Sequence, residues 1–152
     1  MKRWGIVWIA IMLVIAAGCS VQSTSRPVEG YYVMFDSLPE LYDDAVYYAG
    51  AKVGAIVART TGKMGGARMT ITLEDRFARE SGNAVVFYAT RGRLEAEPLF
   101  MGAGLLQKGA LLCGFSSKSG LVWFKFKTLL TDRSSAAKAR ALALQEKFGG
   151  SS

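Results

Sequence analysis

Between Phe35 and Val57 the chain reads Phe35-Asp36-Ser37-Leu38-Pro39-Glu40-Leu41-Tyr42, then Asp43-Asp44, then Ala45-Val46-Tyr47-Tyr48-Ala49-Gly50-Ala51-Lys52-Val53-Gly54-Ala55-Ile56-Val57. Its opening completes a β-rich run, Tyr31-Tyr32-Val33-Met34-Phe35, closed by the turn formers Asp36-Ser37-Leu38-Pro39. Ala45–Ala49 is a second run, and Gly50-Ala51 turns the chain into a third, Lys52–Arg59. Gly50 allows a tight turn, whereas Gly54, inside a strand, lets it kink or accept a close backbone neighbour. Val53, Ile56 and Val57 add β-branched packing. Further on, Gly62-Lys63-Met64-Gly65-Gly66 reads as a loop, and Met69, Ile71 and Leu73 alternate with Thr70, Thr72 and Glu74. Another run, Ala84–Ala89, ends near Arg91-Gly92. Short strands with glycine turns at this spacing indicate a small all-β barrel or sandwich.

The two ends differ from this middle. Ser134-Ser135 can cap a helix over Ala136–Phe148, with Gly149-Gly150 as its stop. Its apolar stripe is mostly alanine, so it is marginal alone and calls for a neighbour to pack on. Residues 121–130 fit either strand or helix. At the other end, Met1-Lys2-Arg3, an apolar run of 14 residues from Trp4 to Ala17, and Gly18-Cys19-Ser20 describe a secretory signal peptide. That run is shorter than the roughly 20 residues a membrane-spanning helix needs. Ile15-Ala16-Ala17-Gly18-Cys19 resembles the bacterial lipobox, with Ala16 where Leu is usual. This resemblance implies cleavage before Cys19 and its lipidation. Residues 1–18 are then the signal peptide, 19–30 the lipidated cysteine and tether, 31–112 the β-domain, and 113–152 a C-terminal segment with a helix near 135–148.

Composition narrows the chemistry. At 152 residues and 51% apolar the chain fits one domain with a real core. With no His and two Cys it lacks the commonest general base and the usual zinc ligands. No catalytic residue, metal site or cofactor is expected. Asp43-Asp44 and Glu95/Glu97 are read as solvated surface charge. Gly62–Ala67 lacks the spacing of a phosphate-binding loop. Cys113, among Leu111, Leu112 and Phe115, reads as a buried small hydrophobe. The net charge of +7, falling to +5 once Lys2 and Arg3 are removed, is modest and dispersed, so nucleic acid is not an expected partner.

In order along the chain, the frame from Phe35 to Val57 is similar to the MCE (mammalian cell entry) or MlaD-type family. Gly50-Ala51-Lys52-Val53-Gly54-Ala55-Ile56 matches its Gly-x-x-Val-Gly-x-Val, with Ile56 for Val. Met69–Leu73 falls where that family has its next strand. Ala89-Thr90-Arg91-Gly92-Arg93-Leu94 falls where it reads Gly-Leu-Leu-Gly, and Leu105–Leu112 resembles its closing Leu-x-x-Gly-x-x-Ile. The resemblance implies a seven-stranded barrel followed by a short helical segment, and homo-hexameric rings with a central pore. It also implies carriage of phospholipid or another apolar molecule alongside an ABC transporter permease and ATPase. The pore loop, between the last strands, is expected at Gly92-Arg93-Leu94-Glu95. Leu94 keeps the apolar character, while Arg93 and Glu95 replace Leu and Gly. The family-motif positions Gly50, Val53, Gly54 and Ile56 are structural. The expected location is the bacterial envelope, as a periplasm-facing lipoprotein held by its lipid anchor, with the membrane left open. The alternative is a structural envelope lipoprotein whose β-domain binds a protein partner or peptidoglycan.

Overall fold

The computed structural model describes residues 29–82, 84–99, 104–128 and 133–149. The signal peptide, Cys19 and the tether up to residue 28 lie outside the described residues. Seven strands form: β1 (Tyr31–Phe35), β2 (Ala45–Tyr48), β3 (Ala51–Thr61), β4 (Ala67–Leu73), β5 (Val85–Thr90), β6 (Arg93–Pro98) and β7 (Leu111–Phe115). They close in the order β1-β4-β3-β2-β6-β5-β7, with β7 returning to β1 in parallel. The protein is therefore mainly β, a seven-stranded barrel with a C-terminal helical segment, the fold class expected from the resemblance. Among the described residues three helices accompany it: α1 (Asp75–Glu80), α2 (Lys118–Lys127) and α3 (Arg133–Gly149).

Both hairpins with two-residue turns have positive φ at each central residue. These are Ala49 (50°) and Gly50 (83°) between β2 and β3, and Arg91 (51°) and Gly92 (72°) between β5 and β6. That twist matches the twist of the strands it joins. In β3 a simple alternation would send Val53 and Ile56, three apart, to opposite faces. The register against β2 jumps across Val53, since Val46 faces Gly54 and Tyr47 faces Lys52. This bulge turns both Val53 and Ile56 into the core. A second jump, at Val57 against β4, leaves Val57 exposed. Gly54 meets its neighbour closely: a Cβ there would lie 2.1 Å from the Thr72 carbonyl oxygen.

The barrel interior is filled. Val33 and Phe35 of β1, Met69 and Ile71 of β4, Phe87 of β5 and Leu94 of β6 are fully buried in one cluster. Helix α1 adds Phe77 and Ala78, with the Phe77 ring 5.2 Å from that of Tyr48. A second cluster lies outside the barrel wall, where Val86, Tyr88, Cys113 and Phe115 meet Leu121 of α2 and Ala137 and Ala141 of α3. Strands β5 and β7 are thus covered on both faces, which explains their unbroken apolar runs. The alanine stripe of α3 (Ala137, Ala141, then Leu144) has found the neighbour it requires.

Several expected boundaries shift. Strand β7 runs through Phe115, so the barrel extends beyond residue 112. Ser134 and Ser135 sit inside the first turn of α3, which starts at Arg133. The ambiguous 121–130 segment is helical through Lys127, and Ser117 caps it by accepting a hydrogen bond from the Gly120 amide at 3.2 Å. Its Leu129 and Leu130 lie outside the described residues. At the other edge, Glu29 and Gly30, expected in the tether, are held: Glu29 pairs with Lys108 at 2.7 Å, and the Gly30 carbonyl accepts from the Gly109 amide.

Candidate functional site

The residues expected to form a pore loop do not form one. Only Arg91 and Gly92 make the turn; Arg93, Leu94 and Glu95 belong to β6. Leu94 is fully buried in the barrel core. The Arg93 guanidinium lies over the Tyr47 ring, 5.0 Å from its centroid. Glu95 accepts a 2.7 Å hydrogen bond from the Tyr88 hydroxyl. Burial, and then that bond, push the Tyr88 pKa up to about 12. The physical reason for the correction is alternation: Leu94 and Ala96 point inward while Arg93, Glu95 and Glu97 point outward, so the segment is a half-buried strand. Of the other named residues, Gly50 lies in the β2–β3 turn, Gly54 makes a close backbone approach, and Val53 and Ile56 enter the core.

The connection that does join the last two strands is residues 99–110. Its sequence, Leu99-Phe100-Met101-Gly102-Ala103-Gly104-Leu105-Leu106, is the longest uncharged apolar stretch after residue 57. Of its described part, Leu106 tucks into the barrel core whereas Leu105 is 66% exposed. Beside it lies an apolar groove of about 410 Å³, walled by Leu105, Leu106, Leu111 and Leu112 with Lys138 and Leu142 of α3. Leu111 and Leu142 also line an adjoining cavity of about 550 Å³ that reaches Tyr32, Arg68 and Phe148. There the Arg68 guanidinium sits between two rings, 5.4 Å from the Tyr32 centroid and 5.1 Å from that of Phe148. Its Nε is buried without a hydrogen-bond partner. Together these features place an apolar trough beside two cations, a chemistry suited to an acyl chain with an anionic head. The signal for this site was in the sequence, in Leu105 and Leu106 at the end of the uncharged run 99–106, outside the expected pore loop.

Several other charged side chains are paired locally. Asp44 pairs with Arg59 at 2.5 Å, Asp43 accepts from the Tyr47 hydroxyl at 2.8 Å, and Glu97 pairs with Lys125. Cys113 is buried in β7, and burial pushes its thiol up to about 12, leaving it without thiolate character at neutral pH. Among the described residues no three His, Cys, Asp or Glu side chains gather as a metal cage, and no helix is long and apolar enough to cross a membrane. No protein-family model matches the sequence, and no curated protein matches it either.

Proposed function

We propose that this chain is a lipid-anchored, MCE-type subunit of a bacterial envelope lipid-transport system. It binds or conducts phospholipid or another apolar molecule, assembled as a homo-hexameric ring beside an ABC transporter permease and ATPase, and it is not itself an enzyme. Cys19 carries the anchor, and the domain faces the periplasm. The observation that carries this reading is the apolar groove along Leu105, Leu111 and Leu142, edged by Lys138, on a barrel whose interior is already filled. Acyl chains gain roughly 0.8 kcal/mol per buried CH₂, so such a groove holds lipid by the same force that holds the core. The seven-stranded closure supports the reading further, because it is the architecture the resemblance implies.

The test is native mass spectrometry of the full chain purified from membranes in mild detergent. The expected result is a hexamer with phospholipid bound, and a Leu105→Asp variant that keeps its oligomeric state while losing the lipid. A lipid-free monomer at every concentration overturns the proposal.

A further inference from the structure

Helix α2, Lys118-Ser119-Gly120-Leu121-Val122-Trp123-Phe124-Lys125-Phe126-Lys127, is apolar on two sides. Leu121 is buried, and the Phe124 ring lies 5.2 Å from that of Phe115, so this side holds the helix on the barrel wall. The other side presents Val122 (56% exposed), Trp123 (59%) and Phe126 (65%), three of the nine exposed large hydrophobic side chains among the described residues. Trp123 and Phe126 stack with centroids 6.0 Å apart, and Lys127 lies 5.1 Å over the Trp123 ring. With Lys118 and Ser119, Val122, Trp123 and Phe126 line one open hollow. Helix α2 contains no acidic residue, and its remaining lysine, Lys125, is drawn to the barrel side by Glu97.

We propose that this face of α2 docks on an anionic phospholipid bilayer. Trp and Phe settle where acyl chains meet head groups, and lysines at the edge keep their stems apolar and their ammonium groups among the phosphates. Charge complementarity selects this occupant. A second copy meeting the same face across a two-fold axis would bring Lys118 and Lys127 against their own counterparts, and like charges brought together oppose association. The inference is independent of ring assembly and of what occupies the groove at Leu105.

The test uses the full chain with Trp4→Phe and Trp8→Phe, which leaves Trp123 as its single tryptophan. It is reconstituted into phosphatidylcholine vesicles with or without about 30% phosphatidylglycerol, each with chain-brominated lipid as quencher. Residues 1–28 carry Lys2, Arg3 and Arg26, so the comparison that isolates α2 is between the wild-type helix and its lysine variants in the same anionic vesicles. Expected are a shift of Trp123 emission to shorter wavelength and strong quenching in the anionic vesicles only. Quenching should reverse in 1 M salt, where the screening length falls to about 3 Å. Each lysine is worth about fivefold in partition near an anionic surface, so Lys118→Glu with Lys127→Glu should lower it by at least about 25-fold. Both positions flank an exposed face, and an unchanged far-UV spectrum confirms the fold. Absence of quenching in anionic vesicles overturns the proposal. So does a blue shift without quenching that grows with protein density, which assigns the face to another copy. Quenching equal in both vesicle types and indifferent to salt also overturns it, because it reports lipid held within the protein rather than a charged surface.

Discussion

Gly54→Ala should be among the most damaging single-methyl changes in this protein. The added Cβ would stand 2.1 Å from the Thr72 carbonyl oxygen and 3.2 Å from the Leu73 Cα, where ordinary contact begins at 3.4 Å. The offending atom is backbone of β4, a strand paired on one side with β3 and on the other with β1, so it cannot swing away as a side chain would. Relief requires β3 and β4 to separate by about 1 Å at the Gly54–Leu73 pair. The bonds across this seam then stretch, including Glu74 N–H to the Val53 carbonyl (2.8 Å). Overpacking costs about 1–3 kcal/mol, and a weakened backbone bond adds about 1 kcal/mol. The total of about 2–4 kcal/mol is a large share of the 5–15 kcal/mol typical of a domain. Gly50, four residues away in the same motif, supplies the control. Its φ is +83° with nothing within 4 Å of a built Cβ, so Gly50→Ala meets only left-handed strain of about 1–2 kcal/mol and Gly50→Asn less. Urea unfolding of residues 20–152 followed by far-UV circular dichroism measures all three. The order Gly54→Ala, Gly50→Ala, Gly50→Asn, at unchanged m-value, is required. A Gly54→Ala midpoint equal to wild type, or a greater loss from Gly50→Ala, refutes the reasoning.

Leu94→Asp and Leu105→Asp should separate sharply: the first puts a charge into a filled core and costs about 4 kcal/mol or more, the second lies on the surface and changes stability by less than about 0.5 kcal/mol. Denaturant midpoints of the two variants decide it. Stability should fall on the alkaline side, because Cys113 (9.0 raised to about 12) and Tyr88 (10.0 raised to about 12) hold their protons longer folded than unfolded. Their contribution is complete below pH 9 and is lost as pH rises toward 12, at roughly 1 kcal/mol per pH unit for each group, and Tyr88→Phe should flatten the part above pH 10. Unfolding free energies measured from pH 8 to 11.5 test the slope. Ala49→Asn should stabilise by about 0.5 kcal/mol, because Ala49 stands at φ 50°, where Asn is better tolerated than Ala, and a raised melting temperature reads it out.

Much of the barrel was legible because half-buried strands write their faces into the sequence. Met69, Ile71 and Leu73 alternate with polar residues, and all but Leu73 of these apolar three are fully buried. Gly54 was readable as a place of close backbone approach, and the Thr72 carbonyl is the neighbour. The bulges at Val53 and Val57 were not readable, since one extra residue in β3 shows only once its partners are known. Helix α1 is six residues long, too short to establish a 3.6-residue period. Helix α2 erased its own period by being apolar on two sides, although Ser117 was available as an N-cap signal. The misplaced pore loop had a remedy in view. Arg93, Glu95 and Glu97 alternate with Leu94 and Ala96 directly after Arg91-Gly92, which is the pattern of a strand leaving a tight turn.

The packed interior constrains any transport this protein performs. A passage through the barrel would require displacing side chains such as Phe35, Phe87 and Leu94, all fully buried. Losing each costs about 2–5 kcal/mol, so clearing the three exhausts the stability of an ordinary domain before any ligand enters. Under the proposed lipid reading, an acyl chain would therefore run along the outside of the barrel, where the groove between Leu105 and Leu142 is open on one side to solvent. Covering that side takes a second surface. Under the same reading, conduction over any distance would be a property of several copies brought together, and a single copy would be competent only to hold a lipid. Breaking the contact between copies should accordingly abolish conduction while each copy still holds lipid, whereas Leu105→Asp removes the lipid and leaves the oligomer intact.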